Sequence, residues 1–393
     1  IVTEFLTASG KSDVNPAVAW YRVVKDPKEQ MADVAQVFLG IRMQCAQCHH
    51  HPYEKWSQDD YYGFAAFFST LGRKEVYKLP ESDMVYHQLK VAEYENPATK
   101  EKLKPTPLDG EPLEIAEVQD PRFELASWMT SKENPYFARM LVNRYWKHFF
   151  SRGLVEPEDD IRVTNPATHP QLLEELAAHV ANSGFDLKDL IRTICNSRAY
   201  QLSSEPLPEN EADNQFYARY YPKRFSAEVM LDSINDVTGA ENSFNKQPKG
   251  VRAIALPDDN ANKESTFLTI FGRPQMDSAC ECERTAAANL AQSLHLINSD
   301  RIQAKLTTSN GRAAQLAVDK ERKDEERVNE IYLRAVSRNA TDGEMQIALA
   351  HLAKKRGLAA ADPEKLKPEN AEKQAFEDIL WVVLNTKEFL FNR

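Results

Sequence analysis

The chain has 393 residues, 42% of them hydrophobic, which is enough for more than one domain with a substantial core. Its 49 basic and 59 acidic side chains leave a net charge of −10, and the basic ones are scattered rather than gathered in a stripe, which argues against nucleic acid as a partner. Five cysteines are too few for a disulfide-built scaffold, and no apolar run reaches the ~20 residues that span a bilayer.

The opening "IVTEFLTASGK" has no initiator methionine, basic n-region or apolar h-region, so the chain reads as a processed product or a fragment carrying no address of its own. The first clear element is "MADVAQVFLGIRMQ", where Val34, Val37, Phe38 and Ile41 fall at helical spacing and carry a predicted helix directly into Cys45. In "SQDDYYGFAAFFSTLG", Ser57 is the expected N-cap with Asp60 three residues on, and Gly72 the expected stop. From Lys74 to Gln119 the character changes. "EVYKLP" and "MVYHQLKVAEY" alternate as strands do, and "ENPATKEKLKPTPLDGEP" reads as loop or hairpin connection.

Helices return at Pro121, with "PRFELASWMTS", "NPYFARMLVNRYWKHFFSRG", "THPQLLEELAAHVANSG" and "DLKDLIRTICNSRAY"; Gly153 and Gly184 stand where C-cap glycines are expected. A Pro-rich loop, "SSEPLPENEAD", precedes "SAEVMLDSINDVTG", a strand candidate "VRAIALPDD", and short helices at "STFLTIFG" and "AAANLAQSLHLIN". The tail reads as three helices interrupted by "GLAAADPEKLKPEN". The expected fold is mainly α and multi-helical, with a small β insertion after the cysteine motif. The expected domains are 1–119 and 120–393.

One motif names a chemistry. Cys45-Ala46-Gln47-Cys48-His49 matches C-x-x-C-H, the attachment sequence for c-type haem. Two thiols on one turn reach the two vinyl groups of one porphyrin, and the adjacent imidazole lies under the iron. At this composition a chance match is expected on the order of once in several hundred such chains. Three other readings stay open. A thioredoxin-like pair would sit at a helix N-terminus after a strand. A zinc site would combine Cys45, Cys48 and His50 or His51 with further ligands such as Cys280 and Cys282. The plainest alternative is two buried cysteines beside a polar turn.

"FLGIRMQCAQCHHHPYEKWSQDDYYGFAAFF" resembles the C-terminal part of the planctomycete cytochrome-type domain DUF1549, whose hallmark is C-x-x-C-H followed by His-Pro. The remainder resembles its usual companion, planctomycete-specific domain 1 (DUF1553), through "NPYFARMLVNRYWKHFFSRGLVEP", "NPATHPQLLEELA", "ARYYPKRFSAEVMLD", "FGRPQMDSACECERT", "LAQSLHLIN" and "LNTKEFLFNR". The resemblance covers nearly the whole chain but lacks the front of the first domain and any upstream cytochrome module. It implies exported, haem-bearing proteins of the bacterial cell envelope and no particular substrate. A periplasmic or extracellular location also follows from covalent haem attachment, which takes place outside the cytoplasmic membrane.

The cofactor expected is one covalent haem c on Cys45 and Cys48, with His49 as proximal iron ligand. His50 and His51 are too close to His49 to cross the ring plane and are expected to hydrogen-bond a propionate or a carbonyl. Of the remote candidates for the sixth position, His87, His148, His169, His295 and Met84, the preferred one is His87. His148 shares a helical stripe with Phe137, Leu141 and Tyr145, where a core role is the simpler expectation.

Elsewhere, "DSACECERT" with Arg273 and Asp277 reads as a disulfide, half a metal site or a salt-bridge cluster. Arg219, Tyr220, Tyr221, Lys223 and Arg224 suit sugar stacking or anion pairing, though pinning a loop to a helix explains them more simply. Asp258, Asp259, Asn260 and Asn262 offer oxygen ligands at the wrong spacing for a calcium loop. Asp159 and Asp160 point to opposite sides of the chain and make no acid/base pair. There is no G-x-S-x-G, G-x-G-x-x-G or P-loop. The expected function is electron transfer to a redox partner protein, or haem-based redox chemistry on an envelope or polysaccharide substrate. The alternative is a structural or carbohydrate-binding envelope protein in which haem or a metal staples the fold.

Overall fold

The computed structural model describes residues 1–74, 83–245, 247–256, 265–274, 289–364 and 366–392. It divides into two compact units, Ile1–Tyr221 and Pro222–Arg393, both built mainly of α-helix. Among the described residues no helix is long and apolar enough to cross a membrane.

In the first unit, Asp26 caps the Pro27–Val34 helix by accepting from Lys28 N, with Pro27 at the first helical position, where its missing N–H costs nothing. The helix continues as a π turn, Ala35–Leu39, and stops at Gly40. The expected run into Cys45 is therefore cut short. Gly40 takes φ +71°, and a Cβ there would lie 3.0 Å from both Ile161 Cδ1 and Met140 Sδ, so only glycine ends the helix this way against that wall. Ile161 N donates to Gly40 O at 2.8 Å and fixes the exit.

The Gln58–Ala65 helix carries the expected capping box, with Ser57 and Asp60 bonding reciprocally. Gly72 is not its stop. It lies in the strand Leu71–Lys74, where a Cβ would fall 2.7 Å from the Tyr86 ring on the neighbouring strand. Met84–His87 is the middle strand of this antiparallel sheet, flanked by Gly10–Lys11 and Leu71–Lys74, with Gly72 opposite Tyr86 and Leu71 opposite His87. A shorter hairpin pairs Tyr94–Glu95 with Lys102–Leu103. "EVYKLP" lies outside the described residues.

The Pro121–Met129 helix belongs to the first compact unit, which runs to Tyr221. The reason is Arg122. Its fully buried guanidinium pairs with Asp120, lies 5.1 Å from the Tyr21 ring centre, and donates to Leu6 O at 3.2 Å and Ala8 O at 2.8 Å. Helices Phe137–Phe150, Pro170–Asn182 and Leu187–Cys195 close a second core of Val142, Trp146, Phe150, Leu173, Val180 and Ile194. The first of these ends on Ser151, itself at φ +68°. Gly153 is needed for close approach, since a Cβ would come within 2.3 Å of Val155 O. Gly184, at φ +70°, terminates the next helix as expected.

In the second unit, Ala227–Thr238, Asp324–Val336, Asp342–Ala361 and Pro368–Leu384 surround Met230, Ile234, Val328, Ile331, Leu352, Phe376 and Leu380. Fully burying each such side chain contributes roughly 2–3 kcal/mol. The chain end returns to this unit's start, Phe391–Asn392 pairing antiparallel with Lys223–Arg224. The strand expected at "VRAIALPDD" is instead a 3-10 turn, Ala253–Ala255, because Asp232 takes the Ala253 and Ile254 N–H groups at 2.7 and 3.1 Å.

Candidate functional site

The C-x-x-C-H segment forms its own short 3-10 turn, Gln44–Gln47. Met43 and Ala46 face inward and are fully buried, while Cys45, Cys48 and His49 are exposed. In 3-10 geometry, positions i and i+3 eclipse, so the two thiols project to the same outer side. The following helix holds the turn from below. Tyr62 donates its hydroxyl to Gln47 O at 3.0 Å and Gln58 its amide at 3.3 Å, and burial pushes the Tyr62 phenol up so that it stays a neutral donor. On the upstream side, Arg42 pairs with the buried carboxylate of Asp159.

The histidines divide the work. His49 Nδ1 lies 2.7 Å from His50 O, which makes that nitrogen the N–H donor and leaves Nε2 with the free lone pair. His51 shapes the turn: its N–H donates to Trp56 O at 2.9 Å, and its Nδ1 accepts from Tyr53 N at 3.3 Å.

These facts separate the readings of the motif. Exposure of both thiols contradicts the buried-cysteine reading. The thioredoxin-like reading needs an α-helix N-terminus, and a 3-10 turn of 4 residues supplies no comparable dipole. Among the described residues no three His, Cys, Asp or Glu side chains converge as a metal site requires, the motif included. Cys280 and Cys282 lie outside the described residues, as do Asp277, Asp258, Asp259, Asn260 and Asn262.

His87 ends the middle strand of the small sheet. Its Nδ1 is 3.0 Å from Thr70 Oγ1 and its Nε2 2.9 Å from Glu117 O, so both ring nitrogens tie the sheet to the loop that follows it. His148 is exposed rather than in the core. The buried face of its helix runs through Val142, Asn143, Trp146 and Phe150, and the stripe from Phe137 through Leu141 and Tyr145 drifts outward before reaching it. His169 precedes Pro170 and places Nε2 3.3 Å from Phe216 O. His295 belongs to the second unit, edge-on to Phe267, with its pKa lowered by burial and then by Arg301. Met84 is half-buried in the central strand of the small sheet. Tyr220 and Tyr221 pin their loop, donating to Phe149 O at 3.1 Å and Asp213 Oδ2 at 2.6 Å. Asp159 and Asp160 engage different partners, Arg42 and Arg162.

A cleft of about 480 Å³, which sequence reading missed, is lined by Ile41 on one side of the motif and by Glu54, Lys55 and Trp56 on the other. Lys55 pairs with Asp109, which also accepts from the Tyr136 hydroxyl; burial and that hydrogen bond hold the phenol well above its usual pKa. Glu54 Oε1 is buried without a hydrogen-bond partner, and burial raises its pKa against the opposing pull of His51 and Arg162. The only hint of this in the sequence was the position of Glu54 behind His-Pro.

Residues 1–73 match PSCyt2, described as a protein of unknown function (DUF1549), and residues 121–352 match PSD1, a protein of unknown function (DUF1553). No curated protein and no solved structure matches the chain. The second match spans more than half of the 393 residues, and the chain belongs to the PSD1 family, DUF1553.

Proposed function

We propose that the first unit carries one covalent haem of c type and serves electron transfer with a redox partner protein, or haem-based redox chemistry, outside the cytoplasmic membrane. The observation that carries this reading is the His49 ring. With Nδ1 donated to His50 O at 2.7 Å, the imidazole is held as the tautomer whose Nε2 can bind iron, the usual arrangement of a metal-ligating histidine. The residues fit the group in their donor chemistry: two exposed, unbridged thiols on one side of a turn and one oriented imidazole.

Attachment needs no oxidant. Each thiol adds across a vinyl C=C, so that a sulfur–carbon bond forms and the thiol hydrogen ends on the other vinyl carbon. Held there, the group supplies a one-electron iron couple. His51, whose Nδ1 accepts from Tyr53, carries its proton on Nε2 when neutral and so offers a donor for a propionate. Burial raises the Glu54 pKa, and the buried Met43 and Ala46 keep the turn from rotating. A single imidazole donor suits this group, whereas a zinc site would need several converging ligands.

The test is the intact mass of the chain produced in a host that attaches c-type haem, taken with a pyridine haemochrome spectrum. One haem retained through denaturation is expected, and it should be lost in the Cys45→Ser, Cys48→Ser double variant. An apo mass from that host, with both thiols open to alkylation, would overturn the proposal.

A further inference from the structure

The second unit contains a cleft of about 530 Å³ lined by two cations that have no counter-ion among the described residues. Arg301 and Lys305 stand one turn apart on the Asp300–Leu306 helix, and neither has a carboxylate partner among the described residues. Like charges at this spacing repel, and the chain as a whole has acidic side chains to spare, 59 against 49 basic. Lys305 Nζ donates to Asn235 Oδ1 at 2.6 Å and Asn242 Oδ1 at 3.0 Å, both neutral oxygens, which leaves its third N–H unassigned. Asn242 is 7% exposed, and its Nδ2 is buried without a partner. The amide cannot be turned over to relieve this, because the oxygen must face the ammonium. A buried donor left open beside two unpaired cations calls for an acceptor.

We infer that this cleft binds a small ligand through an oxyanion, carboxylate, sulfate or phosphate, held by Lys305 and Arg301 with Asn242 at its wall. Phe244 and Phe267 give the cleft an apolar side for the rest of the ligand, and Glu241 is the carboxylate among the residues that line it. The volume suits a ligand of small-metabolite size.

Burial, and then Arg301, hold the Lys305 pKa down to about 8, with Asp232 opposing. An oxyanion beside the ammonium raises it again. For sulfate and a carboxylate, whose charge does not change there, affinity is therefore constant below about pH 8 and falls as pH rises above it, because the free lysine then gives up the proton that the complex retains.

Isothermal titration of the full chain with inorganic sulfate, inorganic phosphate and glucuronate tests this and separates the oxyanion classes. At least one of the three should bind with a Kd on the order of 1 mM or tighter. Arg301→Ala, at an exposed position that should not disturb folding, and Lys305→Met should each weaken binding about tenfold or more, the effect of losing a charge-assisted hydrogen bond. Lys305→Met should also abolish the fall in affinity above pH 8, while Arg301→Ala keeps the fall but moves it to higher pH. Absence of binding by all three probes would overturn the inference. So would binding that Arg301→Ala leaves within about twofold of the original, or an affinity flat across pH 7 to 10.

Discussion

In the Ile1–Tyr221 unit, Arg122 apart, the largest buried side chains are mostly rings: Trp146 stacks on Phe150 at 4.2 Å between centroids, and Tyr217 meets both edge-on at 5.4 and 5.5 Å. In the Pro222–Arg393 unit the buried charges form a larger network, which ties several helices together. Arg327, 3% exposed, bridges Glu372 and Asp324, Arg356 grips the same two carboxylates, and Lys320 completes the set. Rings pack without demanding particular partners, so the first unit can carry extended loops and an exposed cysteine turn on a firm base. Buried charges tolerate no vacancy, so the second unit spends its sequence on long capped helices that bring opposite charges into register.

The sharpest way to break this contrast is Phe150→Ala. Removing a fully buried ring should cost about 3–5 kcal/mol, seen as lost hydrogen-exchange protection in the first unit alone. Equal loss in both units would mean that they do not fold as separate cores.

Arg327→Met should follow at on the order of 3 kcal/mol, the low end for breaking a buried pair, because Arg356 and Lys320 still face Glu372. A urea midpoint for the second unit that does not move would show its charges to be replaceable by packing.

Acid should act in the same direction more gently. The hydrogen bonds of Arg338 hold Glu344 down to about 2; burial opposes a similar shift at Glu372, but Arg356, Lys320 and Arg327 overcome it and hold that carboxyl at about 2 as well. Both folded values lie below the ordinary 4.5, so their stabilisation is full above about pH 4.5 and is lost as pH falls toward 2. Fluorescence of Trp381, the single tryptophan of the second unit, should report this loss across that window. A flat signal there would contradict the network.

The smallest effect should be the same in both units. Ser57→Ala and Thr341→Ala each remove a capping box and should each cost about 1 kcal/mol by thermal melting.

Much of the molecule was legible in advance, for an identifiable reason. The capping box at Ser57 and Asp60, the stop at Gly184 and the helices of the tail follow from local hydrogen bonding and periodicity, which operate within a few residues. The C-x-x-C-H pattern of Cys45, Cys48 and His49 is visible in the sequence because it is a matter of spacing alone. The end of the preceding helix was not, because what stops it at Gly40 includes Ile161 and Met140, more than ninety residues downstream. Nor was the fate of His87, whose nitrogens are taken by Thr70 and Glu117 O.

The sequence by itself determined the helical class, several caps and the place of the C-x-x-C-H motif, since each depends on backbone hydrogen bonds and side-chain order along a single segment. Only the tertiary structure decided where the compact boundary lies, which histidine nitrogens stay open, and that Glu54, Arg301, Lys305 and Asn242 line clefts. Those outcomes depend on packing between segments distant along the chain, where burial and charge are settled by neighbours that no local pattern encodes.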